Sequence, residues 1–493
     1  MAHHVTSKDL PVNGEQIESS DLSKLKLISL IVFAIGAVTS IALFWSNCTF
    51  SDGYSYSWLF AFMFFISIAL GGCFWVTLHN VTNSGWGVSV RRLMENLGFV
   101  FPFMAVIVIP FLFPSVQDDL YEWMKHHRSV ATKYMDENGD IHYTASETAK
   151  AKAVEAANAD LDKDSQIKFK KDYKQIQTLE TAGVAEVEGG HGAYTSPPKY
   201  AFKADHKSLL YYKSWYMNLP FWLTRVIAFF VLLGLGIWAQ RKLSTNQDTD
   251  PKPDCKRLIK TRQLSCLVMP IFAVVATFIA LDFMMALDYK WFSTMYGVYF
   301  FAGCAINSMA VLILTLTWLR SKGYLKIVTS KEHYHIMGKL LHAFVIFWAY
   351  VSFSQYMLIW YANITEETTY FILRNTGPWW YGSISLTFLH FALPFALLLP
   401  HYVKKTMILI VPICIYMLVM HVVDLYIAVI PERGVSLTKG ESLFVDYHAY
   451  LGDILAFVTV GAFFVFVYLR NLGSTNTYPN RDPRLLESAN LHN

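Results

Sequence analysis

Ten stretches of the chain stay apolar for roughly 20 residues or more, with polar segments between them: 25–45, 57–79, 93–113, 217–239, 264–287, 294–319, 335–361, 379–399, 406–429 and 447–469. A helix rising ~1.5 Å per residue needs about 20 such residues to cross ~30 Å of hydrocarbon. Lipid offers no partner to bare backbone groups, so each run is predicted to be helical. A membrane β-barrel would instead show segments of about ten residues with alternating polarity. The pattern predicts an all-α polytopic membrane protein with ten transmembrane helices. Spans 2–5 and 6–9 are expected to form two four-helix bundles, with spans 1 and 10 peripheral. "GGCFWVTLH" in span 2 and "FAGCAINSMAVLILTLTW" in span 6 place small residues where helices can approach closely.

The polar remainder divides the chain into an N-terminal segment (1–24), spans 1–3 (25–113), an insertion (114–216), spans 4–10 (217–469) and a C-terminal tail (470–493). Within the insertion, residues 144–182 are rich in Ala, Lys, Glu and Asp and are expected to be helical, and "EGGHGAYTSPP" follows. Two readings fit the insertion: a solvated helical excursion, or a docking arm for an extracytoplasmic partner. No small-residue cleavage site is evident after the first apolar run, so it is expected to be an uncleaved span.

Composition agrees with the pattern. Hydrophobic residues make up 54% of the chain and charged residues 16%, too few for an ordinary soluble surface. The six cysteines are scattered, with no CxxC or CxxCH, which argues against iron–sulfur ligation or covalent haem attachment in this chain. A net charge of +4 points to no nucleic-acid partner, but its distribution is informative. Lys and Arg concentrate in alternate loops: Arg91 and Arg92, the stretch Arg241 to Arg262, Arg320 to Lys331, then Lys404 and Lys405. The intervening short loops carry only Lys290, Arg374, Arg433 and Lys439. By the positive-inside rule both termini are expected in the cytoplasm, and the insertion outside.

Ionisable residues within spans are costly and mark functional candidates. Arg225 in span 4 and Asp282 in span 5 are expected at similar height, as a structural ion pair or part of a proton path, with Asp288 at the outer lip. His342, His390, His421, Asp424 and Asp453 are expected at graded depths from inside to outside, and histidine suits proton relay. His421 and Asp424 lie three residues apart on one face of span 9. A bis-histidine haem held by His390 and His421 is an alternative. At the inner lip, His79 and Glu95 sit beside Trp86, Arg91 and Arg92, either as an interfacial anchor or as a proton inlet.

Three stretches resemble a family: "LDFMMALDYKWFSTMYGVYFFAG" (281–303), "VDLYIAVIPERG" (423–434) with "DYHAYLGDILAF" (446–457), and "LHNVTNSGWGVSVRRLMENL" (78–97). They resemble the large membrane subunits of alternative complex III, a bacterial quinol:cytochrome c oxidoreductase, within the NrfD-like, polysulfide-reductase membrane family. The resemblance runs across all ten spans and is nearer to the ActF-type subunit than to its quinol-binding sibling. Ala286-Leu287-Asp288-Tyr289-Lys290-Trp291 departs from the family's Ser-Leu-Asp-Pro-His-Trp, and Ile427-Ala428 from its aromatic.

The resemblance implies an integral subunit of the bacterial plasma membrane without redox centres of its own, carrying proton half-channels. Haem and iron–sulfur clusters would belong to partners: a multihaem cytochrome c, an iron–sulfur subunit, the homologous quinol-binding subunit and, in some assemblies, a terminal cytochrome oxidase. Asp282, Asp288, Asp424 and Asp453 fall within the matching stretches. Quinone or menaquinone, or structural lipid, are the ligands this reading admits. The competing readings are direct quinol oxidation in this chain, a proton-coupled secondary transporter, and a purely structural scaffold.

Overall fold

The computed structural model describes residues 4–11, 14–45, 53–124, 133–135, 141–143, 186–187, 194–195, 213, 215–249, 255–377, 379–438 and 447–492. The helix expected over 144–182 lies outside these residues. Among the described residues, ten helices are long and apolar enough to cross a membrane: Ser19–Phe44, Tyr54–Thr82, Val88–Leu112, Leu219–Gln247, Lys256–Leu287, Tyr296–Lys322, Lys331–Ala362, Trp379–Leu398, Met407–Arg433 and Tyr450–Leu472. They are numbered spans 1 to 10 below. The chain is an all-α multi-pass membrane protein, as the hydropathy pattern predicts.

The chain divides into two compact units. The smaller one comprises 117–225 and 288–290. Its described strands form two short antiparallel ribbons, Lys133–Met135 with Ile141–Tyr143 and Glu186–Val187 with Tyr194–Thr195. Trp222 is fully buried there, its ring 6.2 Å from Tyr121, and the Lys213 ammonium donates to the Tyr289 carbonyl at 2.6 Å.

The larger unit holds the spans, apart from residues 219–225 at the start of span 4, and span 2 is its axis. Every residue in the apolar window of span 2 is buried, so protein surrounds it where a lipid-facing helix would show one bare face. Two adjacent glycines make that possible. A Cβ on Gly71 would stand 2.1 Å from the Cys304 carbonyl of span 6, and one on Gly72 would stand 2.6 Å from the Gly98 nitrogen of span 3. Backbones therefore meet without intervening side chains, the usual means of close helix packing in lipid. The Trp75 indole fixes the register against span 6, with the Ala305 carbonyl at 3.2 Å and the Ser308 hydroxyl at 3.1 Å.

Spans 3 to 5 gather on one side of this axis. Phe101 of span 3 stacks on Phe230 of span 4 at 5.0 Å, and Phe229 lies over Phe278 of span 5. Spans 7 and 9 pack on span 6, and span 8 packs on spans 7 and 9. Span 10 packs on span 2 through Phe60–Phe457 and Phe65–Phe464 contacts, and span 1 packs on span 10 through Phe33–Phe463.

Three spans are irregular. Span 3 is a chain of short 3-10 and α segments, because Pro102 and Pro110 withdraw amide donors. Span 5 passes from α-helix into a π segment, Ala280–Met284, and then a 3-10 turn, Met285–Leu287. Span 8 contains a π segment, Leu386–Ala392. The two π segments carry Asp282 and His390, and such bulges are frequent at functional sites.

Candidate functional site

The packing of spans 6 to 9 converges on Asp424. Its side chain is buried, and both oxygens are engaged: the Tyr299 hydroxyl of span 6 donates to Oδ1, and the Trp348 indole N–H of span 7 donates to Oδ2 at 3.1 Å. One turn earlier on span 9, His421 Nδ1 stands 3.5 Å from Oδ2, as the three-residue spacing predicts. The other ring nitrogen of His421 faces the Ser67 hydroxyl of span 2 at 3.3 Å. The Cε1 edge of the His421 ring points at Gly303, where a Cβ would come within 2.6 Å of it. Among the described residues, Asp424 has no lysine or arginine partner.

His390 completes the group from span 8. Its ring stacks on Trp348 at 4.2 Å and 10°, and lies 6.4 Å from His421 between centroids. The Met420 carbonyl lies beside it, but neither ring nitrogen reaches hydrogen-bond geometry with any described residue.

The π segment that positions His390 follows from Pro394. The Leu393 amide bonds back five residues to the Phe388 carbonyl, and the next residue, Pro394, has no N–H. The Leu389 carbonyl is thereby left without a helical donor. The Tyr416 hydroxyl of span 9 supplies one at 2.7 Å.

A cavity of about 610 Å³ opens beside this group, lined among others by Tyr299, Trp348, Gln355, Arg374, Trp380 and Asp424. Phe353, Tyr356 and Trp380 at its rim are exposed. Arg374 forms part of the cavity wall and also repairs span 9. Pro431 cannot bond the Ile427 carbonyl, and Arg374 Nε donates to it at 3.1 Å. Its Nη2 reaches the Ala428 carbonyl at 2.8 Å and Glu432 at 3.0 Å, and its guanidinium lies 3.5 Å over the Tyr370 ring. Burial pushes the Tyr370 phenol above its ordinary pKa.

The other candidates sit elsewhere. Asp453 is locked by Arg433: Oδ1 accepts from Nη1 at 2.8 Å and from the Ser57 hydroxyl at 2.5 Å, and Oδ2 accepts from the Tyr426 hydroxyl at 2.7 Å. Glu95 is bonded to Arg91 at 3.3 Å and to Arg92 at 2.9 Å. Those arginines in turn pair with Asp482 at 2.7 Å and Asp248 at 2.6 Å. Burial holds the Asp248 carboxyl above its ordinary pKa, against the pull of Arg92.

His79 is buried, with Nδ1 unpartnered among the described residues, and Gly87 makes room for its ring. His342 is half-buried against Phe395, at 5.3 Å. No hydrogen bond or ring contact joins it to His390 among the described residues. Asp282 is buried in its π segment in the larger unit. Arg225 belongs to the smaller unit, where it donates to the Tyr216 carbonyl at 2.9 Å and lies 3.8 Å over the Tyr216 ring. Asp288, also in the smaller unit, accepts from the Lys290 amide at 3.0 Å.

The structure thus brings together His390, His421 and Asp424 of the expected ladder and ties Asp453 into a separate ion pair. Tyr299, Trp348 and Ser67, the partners from other spans, carry no mark in the sequence. Arg374 and Arg433 were visible there only as outer-loop charges. A bis-histidine haem does not fit, because His421 has Asp424 beside one nitrogen and Ser67 beside the other. Among the described residues, no cluster of three or more His, Cys, Asp or Glu side chains could hold a metal ion. Comparison with known proteins finds no matching family model and no matching curated protein.

Proposed function

We propose that this chain is an ActF-type membrane subunit of a respiratory quinol:cytochrome c oxidoreductase of the alternative complex III kind, and that it moves protons through the Asp424 group. In this reading it lies in a bacterial plasma membrane with both termini in the cytoplasm. Electron transfer belongs to haem- and iron–sulfur-bearing partners. The three family-like stretches support the membership.

One contrast carries the proton role. Asp424 is buried with two neutral donors and a histidine, whereas Asp453 is buried with an arginine. A buried carboxylate without a fixed cation is costly to keep charged. Its proton is therefore exchangeable with His421 next to it, and an ion-paired carboxylate gives its proton up once and stays charged. His390, its ring 6.4 Å from that of His421 between centroids and its nitrogens without a hydrogen-bond partner among the described residues, is the next station.

A second reading, direct quinol oxidation in this chain, is favoured by the cavity that opens on Asp424 and Tyr299. A dihydroxylated ring bound there would have Asp424 as proton acceptor. The transporter reading has less support. The π interruptions fall in the fourth span of the first group and the third of the second, not at matched positions.

Purification from native membranes in mild detergent tests the membership. Multihaem c-type absorbance and an iron–sulfur signal are expected to co-elute with this chain in fixed ratio. A colourless preparation of this chain alone, active in substrate transport, would overturn it.

A further inference from the structure

At one corner of the larger unit, where span 7 begins and span 8 ends, positive charge gathers without an equal number of carboxylates. Span 7 contributes Glu332, His335, Lys339 and His342, and the short helix His401–Lys405 contributes His401, Lys404 and Lys405. Glu332 is the single acidic residue of residues 331–362 and 393–410. It is already taken: Lys405 reaches one of its oxygens at 2.5 Å, and His335 Nδ1 stands 3.6 Å from the other. The His335 and His401 rings meet edge to face at 4.2 Å.

Lys404 is buried, and its ammonium is held by the carbonyls of Leu398 and Leu399, the latter at 3.1 Å, which cap the end of span 8 without neutralising it. Lys339 is exposed and has no ion pair among the described residues. Burial, and secondarily the nearby Lys339 charge, holds the Lys404 ammonium below its ordinary pKa.

The surface below these charges is apolar. Lys339, Ala343, Ile346, Tyr350 and Phe353 follow one another at three- and four-residue steps and are all exposed. They form a single stripe on span 7 that runs from the cation into the hydrocarbon-facing zone. Tyr402 and Leu399 on the neighbouring segment are 63% and 61% exposed, which extends the same face.

We propose that this corner binds an anionic phospholipid, with its phosphate on Lys339, His401 and the Lys404 edge and an acyl chain along the span 7 stripe. A charged headgroup supplies the missing negative charge, and an apolar tail matches what lies beneath. Basic pockets between membrane helices commonly take anionic headgroups in this way. The proposal is independent of the proton role and of the respiratory assignment.

The test is thermal unfolding of the detergent-purified protein, in whatever complex it occurs, with added phosphatidylglycerol, phosphatidylcholine or inorganic phosphate. Phosphatidylglycerol is expected to raise the Tm, and the other two are not. Lys339→Gln is expected to raise the phosphatidylglycerol concentration needed for half of the shift by about fivefold. Lys260→Gln, at the start of span 5, is expected to leave it unchanged. Equal protection by phosphatidylcholine would overturn the charge recognition. Equal protection by phosphate alone would make this a free-anion site and overturn the lipid. An unchanged Lys339→Gln response, or an equal effect of Lys260→Gln, would place the lipid elsewhere and sink the assignment.

Discussion

Gly303 shows how one missing side chain sets the geometry of the Asp424 group. The His421 ring occupies the space that a Cβ would need, so Gly303→Ala must push the ring away from Asp424, from Ser67 or from both. No titratable group is altered by that substitution. Proton-coupled turnover is nonetheless expected to fall on the order of tenfold to a hundredfold, since misplacing a reacting group by about 1 Å costs that much. Assembly, followed by co-purification of the partners, is expected to persist. Unchanged turnover would show that the seat of His421 is irrelevant to activity. His421 and Asp424 were legible in the sequence because three-residue spacing puts them on one helical face. Gly303, Ser67, Tyr299 and Trp348 reach the group from three other spans, and hydropathy carries no information on which faces of separate helices meet.

At the scale of elements, prolines account for the irregularities of spans 3, 8 and 9, and in spans 8 and 9 polar side chains repair them. Pro394 and the π register orphan the Leu389 carbonyl, and Tyr416 bonds it; Pro431 orphans the Ile427 carbonyl, and Arg374 bonds it. Tyr416→Phe keeps the ring and removes only the hydroxyl. It is expected to destabilise the fold by about 1–3 kcal/mol, the cost of a backbone acceptor left unmet on a lipid-facing surface that offers it no donor, measured as a lower Tm in detergent. A Tm equal to that of the parent would mean that the π segment around His390 does not depend on that bond. The ten spans themselves were legible, since run length and apolarity decide crossing. The π segments at Asp282 and His390 were not, because a π turn is set by which donors are lost and which side chains replace them across the interface.

For the whole molecule, the telling distinction is between buried carboxylates with and without a fixed cation. Glu95 and Asp482 share Arg91, Glu95 and Asp248 share Arg92, and Asp453 has Arg433. These pairs tie the tail to span 3 and span 10 to span 9, and breaking a buried pair typically costs about 3–5 kcal/mol. Asp424 stands apart from them with Tyr299, Trp348 and His421. The depth ordering read from the sequence treated Asp424 and Asp453 alike, because depth along a helix does not reveal which cation lies opposite.

On the proposed function, the most direct measurement is quinol-driven proton uptake in proteoliposomes by the proposed complex, compared between Asp424→Asn and Asp453→Asn. Asp424→Asn is expected to assemble with normal haem content and melting behaviour while proton uptake per electron falls at least tenfold. Asp453→Asn is expected to lower the Tm, with the proton stoichiometry of the surviving complex kept. Normal proton uptake in Asp424→Asn, or its loss in Asp453→Asn without loss of stability, would contradict the account.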